Sequence, residues 1–276
     1  MLVSLNWLSE FCELPTPSQL VEDFNRIGFE IESDETKGEG LTKIVVGHIL
    51  EFKNHPDADR LRIASVDIGT DTVQIVTAAE NVNTGDKIPV SLPGAILANG
   101  MKIKKGKLRG VESNGMMCSA VECGLTDTSP GVWVLPENTP VGVDFIKEAQ
   151  LKDTILDIAI LPNRGDALSL IGLARECQAL YGTNKAVKFD PKYSSKGKQS
   201  SITCQVDQTI CSYYRAQKIS GVLNKTTQLQ YQTRLYYSGF KPKTWLVDVT
   251  NIVRIETGQP LHAFDADGVN EINVTK

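Results

Sequence analysis

The chain has 276 residues, 41% of them apolar and 22% charged, which is enough for two or three domains. A formal net charge of -4 and a pI near 5.5 exclude a uniformly basic nucleic-acid binder, so any RNA contact has to come from a local patch. The opening MLVSLNWLSEF lacks a basic n-region and a long apolar h-region, and no run approaches 18 apolar residues, so neither a signal peptide nor a membrane span is expected. Six cysteines (Cys12, Cys118, Cys123, Cys177, Cys204, Cys211) are scattered with no Cys-x2-Cys pair, which predicts reduced thiols in a cytoplasmic protein and no zinc site.

Along the chain, Trp7, Leu8, Phe11 and Cys12 predict one short apolar helical face. Thr16 then has the properties of an N-cap, with Pro17 at the first helical position and Gln19 completing a capping box. Leu20, Phe24 and Ile27 continue a buried stripe, Gly28 stops the helix, and Phe29 and Ile31 lead into a strand. From residue 44 the pattern changes to short strand candidates at 44–50, 61–67, 73–77, 88–92 and 132–135, separated by Gly, Asn, Asp and Pro turns. Five short strands with glycine-rich connections fit a small barrel, and an SH3-like barrel has the same periodicity as an OB fold.

After residue 150 a strand-like alternation returns at 155–160, followed by the turn at 162–165. Asp166 is the expected N-cap of a helix carrying Leu170, Ile171, Ala174, Cys177 and Leu180, closed by Gly182. Neither residues 1–38 nor the 151–182 stretch holds much core material alone, so burial predicts that they pair in space with the barrel as an insertion. Residues 183–200 form a Lys- and Ser-rich linker candidate. Beyond it, 201–206, 214–219 and 245–249 are predicted strands, 226–238 a helix, and 272–276 a strand with no partner, as in an incomplete domain.

The cations of the barrel segment are concentrated. Lys102, Lys104, Lys105, Lys107 and Arg109 place five within eight residues, a stripe suited to a phosphate backbone. Residues 39–151 as a whole hold 11 Lys/Arg against 14 Asp/Glu, a net of -3, which argues against tight nonspecific binding and leaves a solvated face as the alternative. Ser113 and Asn114 offer neutral hydrogen-bonding groups, and His55 is either a base-stacking ring or a structural residue before Pro56. Asp57 and Asp59 are expected to hold a turn or pair with Arg60 or Arg62. Met116 and Met117 read as core.

Three stretches carry a resemblance. His55-Pro56-Asp57-Ala58-Asp59-Arg60-Leu61 leading into Val66-Asp67-Ile68-Gly69, with Lys104-Lys105-Gly106-Lys107-Leu108-Arg109-Gly110-Val111-Glu112-Ser113-Asn114-Gly115-Met116-Met117-Cys118-Ser119, resembles the tRNA-binding OB module of aminoacyl-tRNA synthetases. The opening Trp7-Leu8 and Gly28-Phe29-Glu30 patterns, and Pro162-Asn163-Arg164-Gly165-Asp166-Ala167-Leu168-Ser169 followed by Gly172-Leu173-Ala174-Arg175-Glu176, are similar to the flanks of that module in the bacterial-type phenylalanyl-tRNA synthetase β subunit family. Val247-Asp248-Val249-Thr250-Asn251 and Glu256-Thr257-Gly258-Gln259-Pro260-Leu261-His262-Ala263-Phe264-Asp265 resemble the start of the family's B3/B4 editing domain. Two stretches depart from the family: Thr77-Ala78-Ala79-Glu80-Asn81 stands where Cys-Gly-Ala-x-Asn is usual, and Lys241-Pro242-Lys243-Thr244-Trp245-Leu246 replaces an Arg-Pro-Ile-Asn-Asn approach.

The resemblance implies an α+β, multidomain fold. A split N-terminal α/β domain (1–38 and 151–190) would carry an inserted OB-fold tRNA-binding domain (39–150), followed by a linker and part of the B3/B4 editing domain (191–276). It implies tRNA contact by the barrel, partial editing roles for His262, Thr250 and Asn251, and a structural role for Arg164 and Asp166. It further implies an α subunit as partner in a heterotetramer of two α and two β chains, tRNA(Phe) as substrate, and ATP and Mg2+ used by the holoenzyme but not by these residues. No DNA or membrane partner is expected. The chain is expected to be an N-terminal piece of a longer subunit, unable by itself to charge or edit tRNA. The competing expectation is a stand-alone tRNA-binding or scaffold protein without catalysis.

Overall fold

The computed structural model describes residues 1–182 and 202–275, so the linker expected at 183–200 lies outside the described residues. In chain order the elements begin with β1 (Leu2–Ser4), α1 (Leu5–Leu8), α2 (Pro17–Arg26), β2 (Glu30–Lys37), β3 (Thr42–Asn54), β4 (Arg62–Asp67), β5 (Thr72–Thr77) and β6 (Lys87–Ile96). They continue with β7 (Gly106–Leu108), β8 (Val111–Ser113), β9 (Met116–Met117), α3 (Phe145–Glu148), β10 (Asp153–Ala159), a 3-10 turn (Pro162–Ala167) and α4 (Leu170–Tyr181). The remainder holds β11 (Thr203–Val206), α5 (Leu229–Tyr237), α6 (Trp245–Thr257) and β12 (Glu271–Val274).

Helix starts follow from their caps. Thr16 accepts the Gln19 amide into α2 with Pro17 at the first turn, and Gly28 leaves the helix at φ 96°. The helix expected to start at Asp166 is capped by Ser169 instead, whose hydroxyl accepts the Gly172 amide at 3.0 Å. Asp166 is occupied inside the 3-10 turn, where its carboxylate holds Arg164. Gly182 closes α4 in the left-handed region.

β10 runs between β1 and β2, antiparallel to both, in a three-stranded sheet. Leu2 pairs with Asp157 and Ser4 with Ile155, while Asp153 pairs with Lys37 and Ala159 with Glu30. Ser4 ties this edge to the following helix: its hydroxyl accepts the Trp7 amide and donates to Asp153 Oδ2 at 2.5 Å. Behind the sheet, Val3, Trp7, Phe24, Leu156, Ile158 and Leu173 share one apolar cluster with Leu235 and Ile252 of the C-terminal helices.

Residues between these flanks form a five-stranded antiparallel sheet in the order β5-β4-β3-β6-β9. It curls until its far edges meet, because the Asn114 amide after β8 donates to the Gln74 carbonyl on β5 at 2.8 Å. Ile49, Val66, Ile75, Val90 and Met117 fill the inside of the curl. The fifth strand is β9 and not the expected 132–135, which forms no ladder. There the Val132 backbone is gripped by the Asn81 side chain, the Trp133 amide bonds Cys118, and the Leu135 amide bonds Lys87, three different partners in four residues.

The C-terminal part corrects three further expectations. Residues 245–249 begin helix α6, whose buried Asp248, Ile252 and Ile255 fall at helical spacing and whose end is Gly258 at φ 77°. The β-branched run imitates a strand locally, but the period of four and three decides. Residues 214–219 form no strand, and β11 ends at a turn where Asp207 accepts from the Thr209 amide and hydroxyl. The last strand has a partner: β12 pairs parallel with β11, Glu271 opposite Thr203. Helix α5 packs on the curled sheet through Trp133, whose indole N–H donates to Gln232 Oε1 at 2.9 Å.

Two outcomes follow. A Cβ on Gly172 would sit 2.0 Å from the Asp166 carbonyl oxygen, so Gly172→Ala should lower stability by about 2 kcal/mol or more, read as a reduced urea midpoint. Burial raises the carboxyl pKa of Glu256, against the hydrogen bond it accepts from Trp7 Nε1 at 3.1 Å. A raised carboxyl pKa means that folding is favoured while the group is protonated and is penalised as pH rises through the folded value. Glu256→Gln keeps an acceptor for Trp7 and should therefore raise Tm at pH 7 while leaving Tm at pH 4 nearly unchanged.

Candidate nucleic-acid interface

The basic stripe is built on a hairpin. β7 and β8 pair with Gly106 opposite Ser113 and Leu108 opposite Val111. Their two-residue turn, Arg109 at φ 46° and Gly110 at φ 86°, has the left-handed geometry that matches strand twist. Glycine adopts that conformation freely, whereas Arg109 is one of three non-glycine residues with positive φ among the described residues. Lys102, Lys104, Lys105, Lys107 and Arg109 are all exposed. Lys107 has one opposed carboxylate, Glu112 at 3.9 Å across the hairpin, in a pair too exposed to neutralise it firmly.

The frame beneath this hairpin comes from residues that sequence reasoning had placed among the RNA contacts. His55 is 6% exposed and is bonded at both ring nitrogens. The Asp57 amide lies 3.1 Å from Nδ1 and the Leu108 carbonyl 3.0 Å from Nε2. An amide can only donate, so Nδ1 must be the bare acceptor and Nε2 carries the proton given to Leu108. A ring held in this way braces the hairpin from below. Ser113 is also buried: its hydroxyl accepts from the Val76 amide at 3.1 Å and donates to the Gly115 carbonyl. Half-buried Asn114 contributes its backbone to the closure described above. Gln74, which no sequence signal marked, bonds the Glu112 carbonyl from β5 at 2.7 Å.

Asp57 and Asp59 are exposed on the turn that His55 and Leu61 close. The expected pairing with Arg62 is replaced by other bonds. Arg62 lies 4.0 Å over the Phe52 ring and donates to the Ala79 and Val82 carbonyls, which fixes the loop after β5. Arg164 grips Asp166 through two nitrogens, reaches Glu176 at 2.6 Å and lies over Phe29. Its hydrogen bond lowers the Asp166 pKa.

Thr250 and Asn251 sit on consecutive positions of α6, about 100° apart around the helix. The Thr250 hydroxyl donates to the Val247 carbonyl at 2.7 Å. His262 is exposed in the irregular segment after α6, its ring 6.2 Å from Phe264, so a buried carbonyl-bonded ring is excluded. Among the described residues no group of three or more His, Cys, Asp or Glu could hold a metal ion, and no helix is long and apolar enough to cross a membrane.

Comparison with known proteins agrees with this layout. Residues 44–144 match the tRNA binding domain family and residues 210–276 the B3/4 domain family. The class is thus a multidomain protein that joins a tRNA binding domain to B3/4 sequence. The whole chain is 40% identical over 289 residues to the phenylalanine–tRNA ligase beta subunit of Bacillus subtilis (strain 168), covering 100% of this chain and 36% of that protein. The beta subunit of Oleidesulfovibrio alaskensis is 41% identical over 97% of this chain and 34% of its own length, and that of Clostridium acetobutylicum 40% identical over 96% and 34%. The chain spans about a third of the length of the curated relatives it matches.

The buried ring under the hairpin makes its own forecast. His55→Ala removes both the Leu108 and the Asp57 bonds and should loosen residues 104–110. Faster amide hydrogen exchange there, with the exchange of β3 and β6 unchanged, is the expected reading.

Proposed function

We propose that this chain is the N-terminal part of the beta subunit of a phenylalanine–tRNA ligase, which joins phenylalanine to tRNA(Phe) with ATP. The curled sheet is read as an OB-fold tRNA-binding domain (39–150). Residues 1–38 and 151–190 are read as one split domain around it, supported by the pairing of β10 with β1 and β2. Residues 191–276 would contain part of the editing domain for Tyr-tRNA(Phe), with Thr250, Asn251 and His262 in its pocket. The α subunit, in a complex of two α and two β chains, would carry aminoacylation in the cytoplasm. ATP and Mg2+ belong to the whole ligase in this reading.

The observation that carries tRNA contact is the hairpin itself: five exposed cations on or beside a turn whose underside is locked by His55, Ser113 and Gln74. A fixed frame lets Lys104, Lys105, Lys107 and Arg109 meet phosphates without first ordering the loop, which lowers the entropic penalty of association. Lysine and arginine there position the backbone and release counterions, and base identity is not read by them. A stand-alone tRNA-binding module would have no use for α5, which packs against both the curled sheet and the N-terminal helices, or for α6, which packs against those helices.

Titration of labelled tRNA at about 50 and 200 mM salt tests this reading. Lys104→Ala, Lys105→Ala and Lys107→Ala together should weaken binding and reduce the logarithmic salt slope by about two to three. No binding at either salt would leave the scaffold reading in its place, and binding with an unchanged slope would remove these lysines from the contact.

A further inference from the structure

A cleft of about 730 Å³ lies between α1, the start of β3, α3 and α5. Its lining includes Lys43, Lys147, Lys152 and Arg234 against two carboxylates, Glu10 and Asp144. Both carboxylates are already committed. Arg234, whose side chain is 9% exposed, binds Glu10 through both terminal nitrogens. Asp144 caps α3, accepting the Ile146 and Lys147 amides at 2.9 and 3.3 Å. Lys43, Lys147 and Lys152 are exposed, and with Arg234 the cations of the lining outnumber its carboxylates four to two.

Of the three non-glycine residues with positive φ among the described residues, one is Arg109 on the hairpin, and the other two, Lys43 at 54° and Gln150 at 52°, both line this cleft. Opposite Lys43 the ladder is irregular: Thr42 pairs with Ile96 and Ile44 with Ser91, so the extra residues lie on β6. The Lys43 chain passes over Gly94, where an added Cβ would come 3.1 Å from Nζ. Gln150 Oε1 receives Arg234 Nη2 at 3.5 Å, so the second strained residue helps seat the buried guanidinium. That guanidinium is further held between the rings of Trp7 and Tyr231, at 5.4 and 5.3 Å. Strain of this kind persists where surrounding structure fixes it, and it concentrates at ligand sites.

We propose that this cleft binds a phosphate-bearing ligand, with Lys43, Lys147 and Lys152 as the anion contacts and Arg234–Glu10 as its rigid floor. The volume accommodates a nucleotide, the size class of ordinary small-molecule sites. Mobile ammonium groups suit phosphate as point charges. The phosphate comes either from an RNA backbone or from a free nucleotide, and the same contacts serve both. This site is independent of the hairpin reading.

The test follows backbone amide signals of Asn6, Lys43, Lys147 and Lys152 by NMR in the full chain during titration with inorganic phosphate, adenosine 5′-monophosphate and a short single-stranded RNA. Saturable shifts are expected, with a Kd on the order of 1 mM or tighter for inorganic phosphate. Lys147→Gln with Lys152→Gln, both exposed positions, should weaken it by about tenfold or more. Tighter binding of the RNA than of the mononucleotide identifies the backbone as the source, and the reverse order identifies a free nucleotide. The hairpin triple-alanine variant should leave these shifts intact, which separates failure of this site from failure of the hairpin. Signals unmoved by all three probes, or equal affinity in the double-glutamine variant, would each overturn the proposal.

Discussion

Seven residues of β10, threaded antiparallel between β1 and β2, hold the two ends of a long excursion together. Nothing local stabilises β1: three residues make no strand alone, and β2 carries mostly exposed polar side chains. Their stability comes from Leu156 and Ile158, which β10 delivers beneath Trp7 and Phe24. Ser4 and Asp153 then couple the ladder to α1 through a buried hydrogen bond. The curled sheet between them can vary its own surface only so far as it returns the chain at Leu151 in register. Tyr237 fixes that return by donating to the Leu151 carbonyl at 2.6 Å.

Where side-chain spacing and a cap agreed, sequence was sufficient. Thr16-Pro17 and Gly28 bracket α2 as read, and the alternation of Ile155 to Ile160 became β10. The reading failed where a distant side chain replaced a backbone partner. Asn81 occupies Val132 and prevents a strand at 132–135, a bond between residues 51 apart that no local period encodes. It failed again at 245–249, where Val247 and Val249 suggested a strand and the buried positions lay one helical turn further on. Asp166 lost the helix cap to Ser169 because Arg164 had already engaged its carboxylate.

The same limit applies at the interface. Clustered lysines are visible in a sequence because exposure follows from charge, and all of them are exposed. The function of His55 is not visible that way, since a histidine before proline looks alike whether it meets a base or a carbonyl. Only the position of Leu108, 53 residues on, shows that this ring supports the hairpin from below. Residues that mark such a motif therefore divide into those that would touch a polyanion and those that shape the surface presenting it. His55 and Ser113 fall in the second group.

The central place of β10 also orders events during synthesis on a ribosome. β1, α1, α2 and β2 emerge first, yet their shared middle strand is made only after the whole curled sheet. That sheet gains every one of its five strands before residue 118, so it can close while both neighbouring edges still wait unpaired. The nascent N-terminus is thus exposed for the time needed to translate more than a hundred further residues, and chaperones have that interval in which to shield it.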